Sequence, residues 1–245
     1  MRHDLHAPAE TAVPDPRFTP HASRPFRIAV LVSGRGSNLQ ALLDGGGGDF
    51  TVVGVVSDRG EAPALARARR AGVPAIAFDP AEHGSRESFD AALFDAVDAL
   101  APDLVVCAGY MRILGAAAVN RYLGRIINIH PSLLPRHPGL RTHARALAAG
   151  DREHGASVHY VIPALDAGPV IAQARVPVHD DDTPTRLAER VLAREHPLLL
   201  ACVRLIAAGR CLQDGSAVLV DSQPLAAPLR LGADDHLVFP VDANR

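Results

Sequence analysis

Phe26-Arg27-Ile28-Ala29-Val30-Leu31-Val32 is a nearly unbroken apolar run of strand length, and it leads into Ser33-Gly34-Arg35-Gly36-Ser37-Asn38-Leu39-Gln40. A strand without polar alternation is buried on both faces, and such strands belong to parallel sheets covered by helices. The run, the glycine-rich turn and the helix expected after it make a βα unit of the mononucleotide-binding kind. Gly34 and Gly36 let the backbone turn sharply and present its N–H groups. Ser37 and Asn38 are expected to cap the helix, whose N-terminus favours an anion. The turn reads as a phosphate cradle or as an ordinary tight βα connection.

A dinucleotide site is the tempting extension. Asp58 closes the next apolar run, Thr51-Val52-Val53-Gly54-Val55-Val56-Ser57, about where a ribose-binding acid would sit. Leu39 stands where the third glycine of that pattern belongs, however, and a bulky residue there resists close helix–strand packing. One phosphate fits the turn better than two.

After four glycines at 45–48 the alternation continues, with a helix expected over 62–72, a short strand over 74–78 and a helix over 85–100. Phe89, Leu93, Val97 and Leu100 recur in the last at three- and four-residue steps. Arg86 lies in its first turn, where the helix dipole disfavours a cation, so it either has a partner or is a solvated surface residue. Residues 103–109 are another buried strand, opening into Tyr110-Met111-Arg112-Ile113-Leu114, which either lines a pocket or packs a helix end. A helix is expected over 142–149, β-rich segments over 156–162 and 170–178, and a long helix over 184–209. Glu195 falls on that helix's apolar face with Val191 and Leu198, so it should be paired, face a ligand, or sit at the stripe's edge in water. Residues 210–245 read as two short strands and a tail.

The expected fold class is α/β: an open, twisted, mostly parallel sheet with helices on both faces, extended by antiparallel strands and a long helix. Residues 26–229 are expected as one domain, 1–25 as a flexible extension rich in proline and histidine, and 230–245 as a C-terminal tail. The 245 residues are 48% hydrophobic and 21% charged, enough for one sizeable core. A formal net charge of −2 with no long basic run leaves no electrostatic footprint for nucleic acid, so small-molecule ligands are expected. Three cysteines without CxxC spacing indicate neither a disulfide framework nor a zinc site, and the irregular spacing of His3, His6 and His21 does not suggest a metal site either. No apolar run is long enough to cross a bilayer and no secretory signal is visible, which points to the cytoplasm.

The chemistry is expected at Ile126-Ile127-Asn128-Ile129-His130-Pro131-Ser132-Leu133-Leu134-Pro135. With a period of two, Ile127 and Ile129 face one side of a strand while Asn128 and His130 face the other. Pro131 cannot donate to a ladder and holds His130 extended, so the strand ends with the imidazole at its tip, where open parallel sheets bind ligands. A lone buried histidine is often structural; an amide two positions away on the same face makes use the better reading. Asp166, in Leu165-Asp166-Ala167-Gly168-Pro169, is a candidate carboxylate, or simply an aspartate bonding its own turn.

Together the Gly-x-Gly-Ser-Asn turn, Asn-x-His-Pro-Ser-Leu-Leu-Pro and Leu-Asp-x-Gly-Pro resemble the phosphoribosylglycinamide formyltransferases, folate-dependent enzymes of purine synthesis, over about residues 26–229. The resemblance implies a Rossmann-like formyltransferase fold, with 10-formyltetrahydrofolate as cosubstrate and no metal. It implies catalytic roles for Asn128, His130 and Asp166, and ribonucleotide binding by Gly36, Ser37, Asn38 and Glu195. Arg86, Met111, Arg112, Ile113, Leu114, Asn128, Ile162, Pro163, Ala164 and Leu165 would border the folate. Leu192, one turn before Glu195, departs from the polar residue that related enzymes often carry. Formyl transfer passes through a tetrahedral oxyanion, to which an amide N–H and an imidazolium can donate, and a carboxylate beside the imidazole favours its charged form. The rivals are formyltetrahydrofolate hydrolase, expected to carry an N-terminal regulatory domain, and methionyl-tRNA formyltransferase, expected to carry a basic C-terminal one. The chain is read as having room for neither. A non-catalytic nucleotide module built on Gly34, Gly36 and Asp58 is a rival of another class. Monomer and homodimer both remain open.

Overall fold

The computed structural model describes residues 24–239. Strands β1 (Phe26–Val32), β2 (Phe50–Ser57), β3 (Ala75–Ala77), β4 (Leu104–Cys107) and β5 (Ile126–His130) are joined by helices α1 (Ser37–Gly45), α2 (Pro63–Arg70), α3 (Arg86–Ala99) and α4 (Ala116–Arg121). After α5 (Thr142–Ala148) come β6 (Glu153–Tyr160) and β7 (Val170–Pro177), then the 24-residue helix α6 (Pro184–Ala207). Short strands β8 (Cys211–Asp214), β9 (Ala217–Val220), β10 (Gln223–Pro224), β11 (Leu229–Leu231) and β12 (Leu237–Val238) complete the described chain.

The main sheet has nine strands in the order β12-β11-β7-β6-β5-β4-β1-β2-β3. From β3 to β5 all neighbours are parallel; β6 runs antiparallel to both β5 and β7, and β8, β9 and β10 form a separate antiparallel sheet. From β1 the chain first builds outward through β2 and β3, then returns to the other side of β1 for β4 and β5. The switch point therefore lies between β1 and β4, and their carboxyl ends open the crevice where such sheets bind ligands.

Period-two alternation divides the core. Ile28, Val30 and Val32 of β1, with Ile127 and Ile129 of β5, pack against Leu39 and Leu42 of α1, Leu65 of α2 and Leu187, Val191, Leu198 and Leu199 of α6. Ala29, Leu31 and Ile126 pack on the opposite face against Phe89, Leu93, Phe94 and Val97 of α3. Asn128 and His130 share the parity of Ile126, so their side chains leave the sheet on the face opposite α6.

Two expectations change. Gly36 is the N-cap of α1, in the left-handed region at φ 74°, and no side chain caps the helix, so Ser37 and Asn38 are not caps. The carboxamide of Asn38 is drawn instead to Glu195 on α6. The segment after 229 is no bare tail as far as it is described, because β11 pairs with β7 and β12 pairs with β11. The flexible extension expected over 1–25 lies outside the described residues except for Arg24 and Pro25; the Arg24 guanidinium forks onto Asp103 at 2.7 and 2.8 Å.

Candidate active site

His130 closes β5 and is buried, 5% exposed, and its two nitrogens face different partners. Nε2 lies 3.1 Å from the His137 carbonyl oxygen. A carbonyl only accepts, so Nε2 carries the proton in the neutral ring and the Nδ1 lone pair faces the other way. On that side the Asp166 Oδ2 atom is 3.5 Å from Nδ1.

Asp166 occupies the turn between β6 and β7 at φ 48°, a left-handed geometry that Asp tolerates better than most residues. Its Oδ2 accepts the Gly139 N–H at 2.7 Å, which aims the carboxylate across the cleft. The motif's glycine has a steric reason: a Cβ at Gly168 would stand 1.8 Å from the Tyr160 carbonyl oxygen. Gly168→Ala should therefore push the turn off β6, costing roughly 1–3 kcal/mol of stability, the usual range for overpacking. It should also lower kcat about tenfold or more through displacement of Asp166. Urea unfolding beside steady-state kinetics checks both.

His159 was not singled out in the sequence, yet it completes the cluster. It pairs directly with Asn128 across β5 and β6, as Ser157 does with His130. Directly paired residues share a face, so the alternation of Ser157 and His159 carried the signal once β6 was known to lie beside β5. His159 Nδ1 donates to the Tyr160 carbonyl at 2.9 Å, which leaves Nε2 to accept from Asn128 Nδ2 at 3.2 Å. Burial pushes the His159 pKa down, so the ring is neutral and the amide's orientation is set. Asp166 Oδ1 is 3.8 Å from the same Nε2.

The loop after His130 is held as firmly. Ser157 Oγ donates to the Ser132 carbonyl and accepts from Leu134 N, and Gln173 Nε2 donates to the Leu134 carbonyl. Serine and glutamine on the buried face of β6 and β7 thus satisfy a loop that would otherwise bury bare carbonyls.

These groups open onto a cavity of about 480 Å³. Asn128, His130, Asp166, Met111, Arg112, Ile113, Leu114, Ile162, Pro163, Ala164 and Leu165 line it, as do Asn38 and Glu195. Tyr110, the start of the apolar loop read as a pocket wall, lines it as well, and Leu140, Arg141, Thr142, His143 and His159, not expected from the sequence, line it too. Among the described residues six large apolar side chains are exposed, and four of them, Met111, Ile113, Leu140 and Leu165, are on this cavity. Apolar groups gathered in this way mark a surface for a partly apolar ligand.

Gly36, Ser37 and Arg86 are not part of the lining. Gly36 and Ser37 sit just before Asn38, and a Cβ on Gly36 would come 2.6 Å from Ala64 Cβ, so the turn needs that glycine. Gly34 has open space around it. Arg86 does have a partner: Nη2 donates to the Ile113 carbonyl at 2.5 Å and Nε lies 3.8 Å from Asp90. It supports the 111–114 loop without facing the cleft. Asp58 and the half-buried Leu192 are also absent from the lining.

Asn38 Nδ2 donates to Glu195 Oε2 at 2.7 Å, and both side chains are buried. Burial raises the Glu195 pKa, and the amide bond partly opposes it. Asn38 Oδ1 has no partner. A buried carboxylate and an orphaned amide oxygen on a cavity wall suit a ligand rich in hydroxyl or amine donors.

Behind the site, His154 Nε2 and His143 Nδ1 are 3.1 Å apart. Burial, then His143 and His137, push His154 down to about 4. The unfolded chain takes up a proton near the ordinary value of 6.5, so this group's stabilisation is present above that pH and is lost as pH falls toward 4. His154→Gln should flatten that loss, read as a smaller difference in unfolding free energy between pH 7 and pH 4.

A mostly parallel sheet with a switch-point crevice, and an amide, imidazole and carboxylate at its open end, suits acyl-group chemistry, and the class is that of the formyl transferases: residues 26–203 match the family model described as Formyl transferase. The chain is 45% identical over 213 residues to the phosphoribosylglycinamide formyltransferase of Escherichia coli K12, covering 86% of this chain and 100% of that one. It is 46% identical over 187 residues to that of Mycobacterium tuberculosis H37Rv, covering 76% of this chain and 86% of the relative. The solved phosphoribosylglycinamide formyltransferase of Coxiella burnetii superposes with a TM-score of 0.80 at 44% identity, covering 89% of this chain and 100% of that one. The chain belongs to the phosphoribosylglycinamide formyltransferase family.

Proposed function

We propose that the protein transfers the formyl group of 10-formyltetrahydrofolate to the amine of 5'-phosphoribosylglycinamide, giving the N-formyl ribonucleotide and tetrahydrofolate. The observation that carries the reading is the meeting of Asn128, His130 and Asp166 in the same cavity as the Asn38–Glu195 pair. Relatives named as transferases at 45% and 46% identity favour transfer over hydrolysis.

The neutral amine attacks the formyl carbon, a C–N bond forms, and the carbonyl oxygen becomes an oxyanion. Asn128 has two amide N–H groups; one is used on His159, and the other is assigned to that oxygen. His130, with Nε2 committed to the His137 carbonyl, meets the reacting atoms through Nδ1. Protonated there, it donates to the oxyanion, and Asp166 stabilises its charge. Collapse breaks the bond to the folate nitrogen, which takes the proton the amine gives up, directly or through water. Glu195 and Asn38 hold the ribonucleotide, with Gly36 and Ser37 turning backbone N–H groups toward its phosphate at the start of α1. The folate lies along Met111–Leu114 and Ile162–Leu165, with Arg86 bracing the first of these loops.

No step requires a metal, and among the described residues no group of three or more His, Cys, Asp or Glu side chains is arranged to hold a metal ion. We infer a cytoplasmic setting from three buried thiols, Cys107, Cys202 and Cys211, all free. No described helix is long and apolar enough to cross a membrane. Mixing the protein with 10-formyltetrahydrofolate and following folate absorbance tests the reading. Turnover should require the ribonucleotide and produce no formate; formate release without ribonucleotide would make the protein a hydrolase, and nicotinamide-cofactor binding in place of either would make it a nucleotide module.

A further inference from the structure

The segment 137–139 touches both groups that face the reacting carbon. The His137 carbonyl holds Nε2 of His130 at 3.1 Å, and two residues later Gly139 N–H holds Asp166 Oδ2 at 2.7 Å. The relative placement of imidazole and carboxylate therefore depends on where this short piece of backbone sits.

His137 is itself left-handed, at φ 53°. A residue other than glycine keeps that geometry only where its surroundings hold it. Its side chain is held: His137 Nε2 donates to Asp151 Oδ2 at 2.7 Å, and the Asp151 side chain is only 3% exposed. Arg136 pairs with the other oxygen of the same carboxylate. Asp151 follows α5, and its N–H donates to the Ala146 carbonyl in the last turn of that helix, so the carboxylate is tied to a helix end and not to the loop it steadies. Arg145, also on α5, donates to the Pro138 carbonyl, and Ser132 Oγ donates to the Arg136 carbonyl at 2.7 Å.

We propose that Asp151, acting through the side chain of His137, is a positioning device that fixes the tautomer and rotation of His130. Neither residue touches the cavity. With the His137 ring anchored, its carbonyl points at His130 and only Nε2–H can satisfy it, which leaves Nδ1 for Asp166 and the substrates. With the anchor removed, the carbonyl is free to turn and the imidazole can adopt the other tautomer, whose Nδ1–H binds Asp166 and cannot accept a proton there. The inference rests on the reading of His130 as the group at the reacting carbon, and its test is partly independent of activity.

Nitrogen-15 NMR of the histidine rings in the unchanged protein should show neutral His130 protonated at Nε2 alone. A ring protonated at Nδ1 overturns the proposal whatever the enzyme does. In kinetics, His137→Phe should lower kcat about 10- to 100-fold, the scale of a small misplacement, with both KM values within about twofold. His137→Gln keeps a donor for Asp151 and should recover most of the rate. Asp151→Ala combined with His137→Phe should be about as slow as either alone, because the pair acts as a unit. A His137→Phe protein with unchanged kcat overturns the proposal, as do fully multiplicative losses in the double variant. If the protein proves not to transfer formyl groups, the NMR result still decides the tautomer.

Discussion

His130→Ala should turn over formyl folate and ribonucleotide about 10³-fold more slowly than the unchanged protein, within the 10²–10⁴ range for a positioned acid–base group. That factor is about 4 kcal/mol of transition-state stabilisation. What is lost is the donor to the developing oxyanion together with the imidazolium charge that it brings to the site. Ribonucleotide affinity should hold within about twofold, because binding is assigned to Asn38, Glu195 and the α1 turn, and uniform binding is separate from catalysis. Isothermal titration with the ribonucleotide alone, beside single-turnover kinetics, separates the two. A kcat within tenfold of the unchanged protein would remove His130 from the mechanism.

Asp166→Asn should cost about 10²- to 10³-fold in kcat, comparable to removing one preorganised charge or donor from an oxyanion site. The substitution isolates charge from shape. Asn tolerates the left-handed backbone at φ 48°, and its carbonyl oxygen can accept the Gly139 N–H as the carboxylate does. What disappears is the negative charge 3.5 Å from His130 Nδ1, and with it the stabilisation of imidazolium. The melting temperature should change little, which distinguishes this variant from Gly168→Ala. Should Asp166→Asn keep full rate across the pH range, the carboxylate would be a turn-former only.

Much of this arrangement could be read before any coordinates, for identifiable reasons. Asn128 and His130 were legible because strand periodicity places them together and Pro131 ends the strand. Glu195 stood out as a charge inside an apolar stripe, and it is buried and paired. The mistaken assignments came from local rules losing to distant contacts. Asn is a favoured cap, but Asn38 is claimed by a carboxylate 157 positions away, and left-handed Gly36 begins the helix without help. For Arg86 the helix dipole left a partner and bare solvent both open, and nothing local could say that it would hold the Ile113 carbonyl and stay out of the lining. The histidines at 137, 143, 154 and 159 escaped notice because only the pairing of β6 with β5 and the return of the 131–141 loop bring them to His130.

The central claim is that three side chains surround one carbon. A crystal structure with the ribonucleotide and an unreactive formyl-folate analogue bound together tests it most directly. The formyl carbon should lie about 3–3.5 Å from the amine nitrogen, the separation of a near-attack pair. Its oxygen should be within hydrogen-bond distance of Asn128 Nδ2 and of the His130 ring. A formyl oxygen turned toward solvent, or a folate seated away from Met111–Leu114, would contradict the account.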